Sequence, residues 1–191
     1  MTDDSFPNAL AEFTTHQLSR FLRQAQPPVV IWPVGSTEPH GPHLPLATDA
    51  VLSTENANRA VNALRLADVA AVKAPLLPYG VTDFAEGFAG AISVPEDTLV
   101  ALLFAGVSSY LEQGFRHVCL VNHHLESGQL SALERCRKQV EQVKGAYRVS
   151  VPAVISRRWG GRLGSEFKSG ACHAGAYEGS MMLAARPDLV D

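Results

Sequence analysis

Two kinds of apolar pattern alternate along this chain. Val29-Val-Ile-Trp32, Val69 to Leu77 and Val118-Cys-Leu-Val121 are short and nearly continuous, without the polar alternation of a half-exposed strand. Such runs read as strands covered on both faces. Tyr147 to Ile155 reads as a fourth strand. Between them, apolar residues recur at three- and four-residue spacing, which predicts helices. Thr14 or Thr15 caps a first helix through about Ala25, with Leu18, Phe21 and Leu22 on one face, and Pro27-Pro28 ends it. A second helix is expected over about Asp49 to Leu66. Ser93-Val-Pro-Glu96 reads as a capping box with Pro at the second helical position, opening a helix to about Glu112 that Gly114 stops. Another helix runs from roughly Ser127 to Val143, with Leu130, Leu133, Val140 and Val143 in phase, and a last one begins near Gly175 and ends before Pro187. The glycine-rich stretch from Tyr79 to Ala91 reads as loop.

Strands alternating with helices predict a single α/β domain over residues 1–191, with a mostly parallel sheet flanked by helices and joined by right-handed crossovers. No internal repeat, low-complexity tract or linker divides it. Ligands of such sheets bind outside the carboxyl ends of the strands, so the loops after the first and third strands are expected to meet at one edge. The chain has 191 residues, 46% hydrophobic and 18% charged, an ordinary globular balance. A net charge of −3 and the lack of a basic patch argue against a nucleic-acid partner. No apolar run is long enough to span a membrane. Cys119, Cys136 and Cys172 are an odd number, far apart, with no CxxC pair, which argues against a disulfide framework. Together with an acidic start, Met-Thr-Asp-Asp-Ser, that lacks an apolar signal core, this makes a cytoplasmic location the expectation.

The chemistry lies in three clusters. Glu38-Pro-His40-Gly-Pro-His43-Leu-Pro-Leu-Ala-Thr-Asp49 holds two carboxylates, two imidazoles and three prolines. Proline removes donors and fixes φ, so this segment is a stiff irregular loop, suited to presenting O and N donors to a divalent cation. Asn122-His123-His124-Leu-Glu126 follows the third strand, and an extended backbone there points His124 and Glu126 to one side. His123 has two readings: it joins the site, or it caps the next helix or bonds backbone. His173-Ala-Gly-Ala-Tyr177-Glu178 opens the last helix, with small residues that let a ligand approach and Glu178 placed to orient His173 or face the metals. Glu38, His40, Asp49, His124 and Glu126 are more ligands than one open catalytic metal needs, and with several carboxylates they suit two metals with one carboxylate bridging. No GxSxG elbow, GxGxxG or P-loop occurs. Trp159 reads either as an aromatic wall of a pocket or as core.

The segment PVGSTEPHGPHLPLATD over residues 33–49, followed by His124-x-Glu126 and His173-Ala-Gly-x-Tyr-Glu178, resembles the creatininase (creatinine amidohydrolase) family over roughly residues 25–186. The resemblance implies a creatininase-like α/β fold, hydrolysis of an amide-type C–N bond with water activated by two divalent metal ions, and a homo-oligomer, a hexamer in many members. Zn2+ and/or Mn2+ are the implied ions, with Fe2+ or Co2+ compatible with the same ligands. The expected substrate is a small non-peptide amide, lactam or formamide. Carried over by motif, Glu38 and His124 bind one metal, His40 and Glu126 the other, and Asp49 bridges. His173 moves the proton at the substrate with Glu178 supporting it, Glu126 is counted with them as catalytic, and His43 supports the ligands from behind.

The chain also departs from the family pattern. His123 stands where relatives often have glycine, and Glu126 resembles the creatinine-hydrolysing branch. Ala85 and Phe88-Ala-Gly-Ala91 replace a His and a Phe-Pro-Gly-Thr. Relatives usually continue for several tens of residues beyond the last motif. These departures leave two further readings open: a dehydration or ring closure of a biosynthetic intermediate on the same fold, and a non-catalytic metal- or ligand-binding member.

Overall fold

A computed structural model describes residues 6–145, 148–153, 155–170 and 173–191. Four strands, β1 (Val29–Val34), β2 (Ala71–Lys73), β3 (His117–Asn122) and β4 (Val149–Ser150), pair in parallel in the order β2-β1-β3-β4. Helices α1 (Thr15–Leu22), α2 (Thr48–Leu66), α3 (Glu96–Gln113), α4 (Ser127–Lys144) and α7 (Ala176–Ala185) fall on the predicted stretches. Two single turns, α5 (Arg157–Gly160) and α6 (Ser165–Lys168), were too short to leave a periodic trace in the sequence. Among the described residues no helix is long and apolar enough to cross a membrane.

Every residue of β1 is buried, as its unbroken apolar run requires. Val30, Trp32 and Val34 pack with Val118 and Leu120 against Phe21 of α1, Leu99, Leu103 and Val107 of α3, and Leu133 and Val140 of α4. Val29 and Ile31 turn to the other face, against Ala57 and Val61 of α2. Thr14 caps α1 with the reciprocal bond to Gln17, and Gly114 ends α3 at φ 109°, a left-handed conformation that a side chain would resist.

Three expectations are corrected. The strand expected over Val69 to Leu77 is regular only from Ala71 to Lys73, because Pro75 and Pro78 break its ladder. The chain nonetheless stays alongside β1: Ala74 N–H donates to the Ile31 carbonyl at 2.9 Å and Leu77 N–H to that of Pro33 at 3.0 Å. The strand expected over Tyr147 to Ile155 is seen only at Val149–Ser150, just ahead of Pro152, while Tyr147 and Val154 lie outside the described residues, as does Cys172. Ser93 does not cap α3. The helix begins at Glu96 after Pro95, and the Ser93 hydroxyl accepts from Thr82 N–H and donates to Asp83 Oδ1.

Pro33 sits in a central strand, where proline is normally excluded. Odd-numbered residues of β1 bond toward β2, from Val29 N–H to the Ala70 carbonyl through Gly35 N–H to that of Leu77. The N–H that Pro33 lacks would therefore face the stretch where β2 has already lost its regular ladder, so little is forfeited.

The order β2-β1-β3-β4 means that the chain leaves β1 toward one side of the sheet and β3 toward the other. The carboxyl ends of β1 and β3 are thus the topological switch point, where departing connections open a crevice. Both polar loops predicted to carry chemistry leave from there.

Gly106 of α3 seats on the indole of Trp32, which Tyr110 holds edge-on with ring centroids 5.5 Å apart; a Cβ at residue 106 would lie 2.4 Å from Trp32 Cη2. Gly106→Ala gains about 1 kcal/mol of helix propensity but meets an overpacking cost of about 1–3 kcal/mol. The expected result is a net loss of about 1 kcal/mol, read as a lower urea midpoint at unchanged m value.

Candidate metal centre

The loop after β1 closes directly on the start of α2. Gly35 makes that possible, since a Cβ there would lie 2.8 Å from Ala50 N. Glu38 N–H donates to the Leu46 carbonyl at 3.1 Å, folding the Pro-rich segment back on itself, and Thr48 Oγ1 bonds the Pro45 carbonyl at 2.7 Å as α2 begins. Asp49 is thereby presented from the first turn of α2 beside Glu38 and His40. The loop after β3 brings His124 and Glu126 to the same place, with Asn122 Nδ2 donating to the His124 carbonyl at 2.6 Å. The start of α7 supplies His173 and Glu178. Glu38, His40, Asp49, His124 and Glu178 are each at most 2% exposed.

Among the described residues, ligand atoms gather in three overlapping groups: Glu38 with His124 and Glu126, His40 with Asp49 and Glu178, and Glu38 with His40 and His173. Asp49 faces both central imidazoles, its Oδ1 3.5 Å from His40 Nε2 and its Oδ2 3.1 Å from His124 Nδ1. That is how a carboxylate shared between two ions would stand. Among the remaining carboxylates, Glu178 Oε2 lies 3.7 Å and Glu38 Oε1 3.9 Å from His40 Nε2, and Glu126 Oε2 lies 3.6 Å from His124 Nε2.

Hydrogen bonds set which imidazole nitrogen faces the cluster. His124 Nε2–H donates to the Val81 carbonyl at 2.6 Å, leaving Nδ1 toward Glu38 Oε1 and Asp49 Oδ2, 3.0 and 3.1 Å away. His40 Nδ1–H donates to the Glu38 carbonyl at 3.1 Å, leaving Nε2 inward. Orienting bonds of this kind are what a metal-binding histidine uses.

The electrostatics are those of carboxylates and imidazoles buried together. Burial opposes ionisation of Asp49, but the facing imidazoles of His124 and His40 hold it well below the usual carboxylate range. Burial pulls His124 down, yet Asp49 and Glu38 push it up to about 10. Burial, and then the charge of Asp49, raise Glu178 to about 7. Glu38 Oε1, His40 Nε2, Asp49 Oδ1 and Glu126 Oε2 are buried and make no hydrogen bond. Buried charged atoms without partners are costly. Oxygen and imidazole donors converging with unpaired atoms fit one or two divalent ions of the borderline class.

His173 sits at the rim, 37% exposed at its side chain. Its Nε2–H donates to the Pro39 carbonyl at 3.0 Å, and its Nδ1 is 3.6 Å from Glu38 Oε1. Burial and the neighbouring His40 lower its pKa, so it is held neutral. Glu178 Oε2 accepts the Ala174 N–H at 2.6 Å, which fixes the turn that carries His173. Residue 174 adopts φ 54° there.

His123 turns away from the cluster. Its ring bonds the Asn56 side chain on α2, its N–H donates to Ser53 Oγ at 3.1 Å, and burial lowers its pKa. It neither caps α4, whose N-cap is Glu126, nor crowds the ligands. His43 is half-buried beside Gly41. Trp159 is neither core nor a wall of the site: it is 45% exposed between the guanidinium groups of Arg158 and Arg162.

A cavity of about 180 Å³ opens onto the cluster, lined by Asp49, Phe84, His124, Leu125, Glu126, His173 and Glu178. A larger apolar groove of about 1000 Å³ runs between α2 and the sheet, and among the described residues no group of ligand residues lies in it. Phe84, which packs edge-on against His173 with centroids 5.2 Å apart, and Thr82, whose hydroxyl donates to Glu38 Oε2, were not foreseen. Both lie in the loop over residues 79–93, which its glycines and its departure from the family pattern had marked, though neither residue was singled out there.

A family model described as Creatininase: Creatinine amidohydrolase matches residues 11–191. A mycofactocin precursor peptide peptidase of Mycolicibacterium smegmatis is 41% identical over 100 residues, 52% of this chain and 38% of its own length. A creatinine amidohydrolase of Pseudomonas putida is 28% identical over 182 residues, 85% of this chain and 66% of its own. The chain thus spans less than half the length of the first of these relatives. A solved structure described as Creatininase Mn superposes with TM-score 0.78 at 22% identity, covering 97% of this chain and 76% of the other, a likeness of fold.

A histidine raised from its ordinary 6.5 to about 10 contributes stability that is full below 6.5 and lost as pH rises through about 10. Metal must displace that proton. Metal affinity is therefore expected to rise with pH across this window, and titration calorimetry in two buffers of different ionisation enthalpy should read proton release at neutral pH. A pH-independent affinity would contradict ligation by His124.

Proposed function

This chain belongs to the creatininase family, and on that premise we propose that it is a metal-dependent hydrolase of an amide-type C–N bond. The observation that carries the reading is the convergence of buried carboxylates and imidazoles whose unpaired atoms point at one another. Asp49, which faces both imidazoles, would serve two ions; Glu38 and His124 would ligate at one position and His40 at the other, with Glu126 and Glu178 as further oxygen donors. Two divalent ions bound there, Zn2+ or Mn2+ by ligand type, would supply Lewis acidity toward a carbonyl and lower the pKa of water.

The chain's own groups do the rest. His173, neutral and at the rim, takes up a proton at Nδ1 and delivers it to the leaving nitrogen, its ring held by the Pro39 carbonyl. Glu178, through Ala174 N–H, keeps His173 over the cluster. Phe84 and Leu125 form apolar walls that limit water and favour a substrate with an apolar face. A cavity of about 180 Å³ supports a small amide, lactam or formamide. Likeness to proteins named for peptide cleavage supports a second reading, in which the end of a short peptide enters the same cavity.

Metal content of protein purified without chelators, followed by a panel of small amides and short peptides, tests the proposal. His124→Ala is expected to lose metal and turnover together. His173→Gln should keep its metal and lose about 10²- to 10⁴-fold in kcat. Full turnover in either variant would overturn the assignment.

A further inference from the structure

Three consecutive residues of the loop before α3 each touch a different member of one ligand group. The Val81 carbonyl accepts His124 Nε2–H at 2.6 Å, the Thr82 hydroxyl donates to Glu38 Oε2, and Asp83 N–H donates to Glu126 Oε1 at 3.2 Å. Those partners, Glu38, His124 and Glu126, form one of the three groups able to hold an ion. Each contact leaves a second atom of its ligand facing the cluster. Glu38 Oε1 and Glu126 Oε2, the oxygens not engaged by the loop, are the ones that are buried without partners.

The loop is itself held from two sides. Gln129 on the first turn of α4 is fully buried; its Oε1 accepts Val81 N–H at 3.0 Å, and its Nε2 donates to Asn122 Oδ1 at 3.1 Å. Gly80 leaves the room for it, since a Cβ there would lie 2.4 Å from Gln129 Oε1. On the far side Ser93 Oγ accepts Thr82 N–H at 3.0 Å and donates to Asp83 Oδ1 at 2.6 Å. Thr82 is fully buried, so its hydroxyl has no water to exchange with.

We propose that Val81-Thr82-Asp83 is a clamp that positions three ligand side chains, Glu38, His124 and Glu126, with Thr82 its decisive positioning residue. None of its three contacts reaches His40, Asp49 or Glu178. It rests on the metal-dependent reading above and deepens it. Thr82 selects which Glu38 oxygen turns inward, Val81 selects the His124 nitrogen, and Asp83 selects the Glu126 oxygen. The loop thereby preorganises three of the ligand side chains.

The test uses the full chain, loaded with Zn2+ for stoichiometry and with Co2+ as an absorbing probe. Wild type is expected to take up two ions. Thr82→Val keeps the shape and removes the donor; it should keep one ion at wild-type affinity, bind the second roughly 10- to 100-fold more weakly, and change the visible Co2+ spectrum. Thr82→Ser, which restores the hydroxyl, should recover both. Two ions at wild-type affinity with an unchanged spectrum in Thr82→Val would overturn the clamp. If Thr82→Val does not fold, Ser93→Ala, outside the ligand shell, should weaken the same single ion, and no effect would likewise overturn it. A wild type that binds no ion at all would instead defeat the metal-dependent reading, a failure visible before any variant is made.

Discussion

The constraint on which everything else rests is the burial of several carboxylates together. Glu38, Asp49 and Glu178 are almost wholly withdrawn from solvent, and the positive charge facing them comes from imidazoles. Like charges so confined repel and are poorly solvated, and the fold survives this only because every engaged oxygen has a named donor or a neighbouring imidazole. The stiffness of the Pro-rich loop, the orienting bonds on each histidine, and the raised pKa values of His124 and Glu178 are all responses to that single demand. A cation would meet it directly, which is why the same cluster reads as unstable on its own and as complete with ions.

The sheet decides where such a cluster can exist. Only at the exits of β1 and β3 do neighbouring connections diverge, and both polar loops leave there. The third contribution, from α7, reaches the same place because α7 packs on α2 through Leu52 and Met182. The site is therefore assembled from segments more than a hundred residues apart, each short and each tied to a regular element within a few residues.

Much of this was legible in the sequence. The continuous apolar runs gave the strands their identity and parallel class, and prolines around Glu38 and His40 announced a rigid loop. His124 and Glu126, two apart after a strand, were readable as one face. What could not be read was tertiary in origin. Ser93 has the pattern of a helix cap, but a fully buried Thr82 and the Asp83 carboxylate compete for its hydroxyl and win. His123 sits next to a ligand in sequence, yet the strand sends its ring to Asn56 on the opposite side. That Glu178 stands 3.7 Å from His40 Nε2 follows from how α7 packs on α2, which spacing along the chain does not encode.

Pro33 carries a consequence for how the chain finds this arrangement. Glu38 and His40 follow β1 by only a few residues, so their position is set by the register of that strand. A slip of two residues would preserve the apolar pattern while moving the loop about 7 Å along the sheet. Proline makes that error costly, because it fits only where the neighbouring chain asks for no donor, beside the irregular turn at Pro75. A residue without a hydrogen to give thus acts as an index mark, aligning the loop over residues 38–49 before any of its polar side chains has met another.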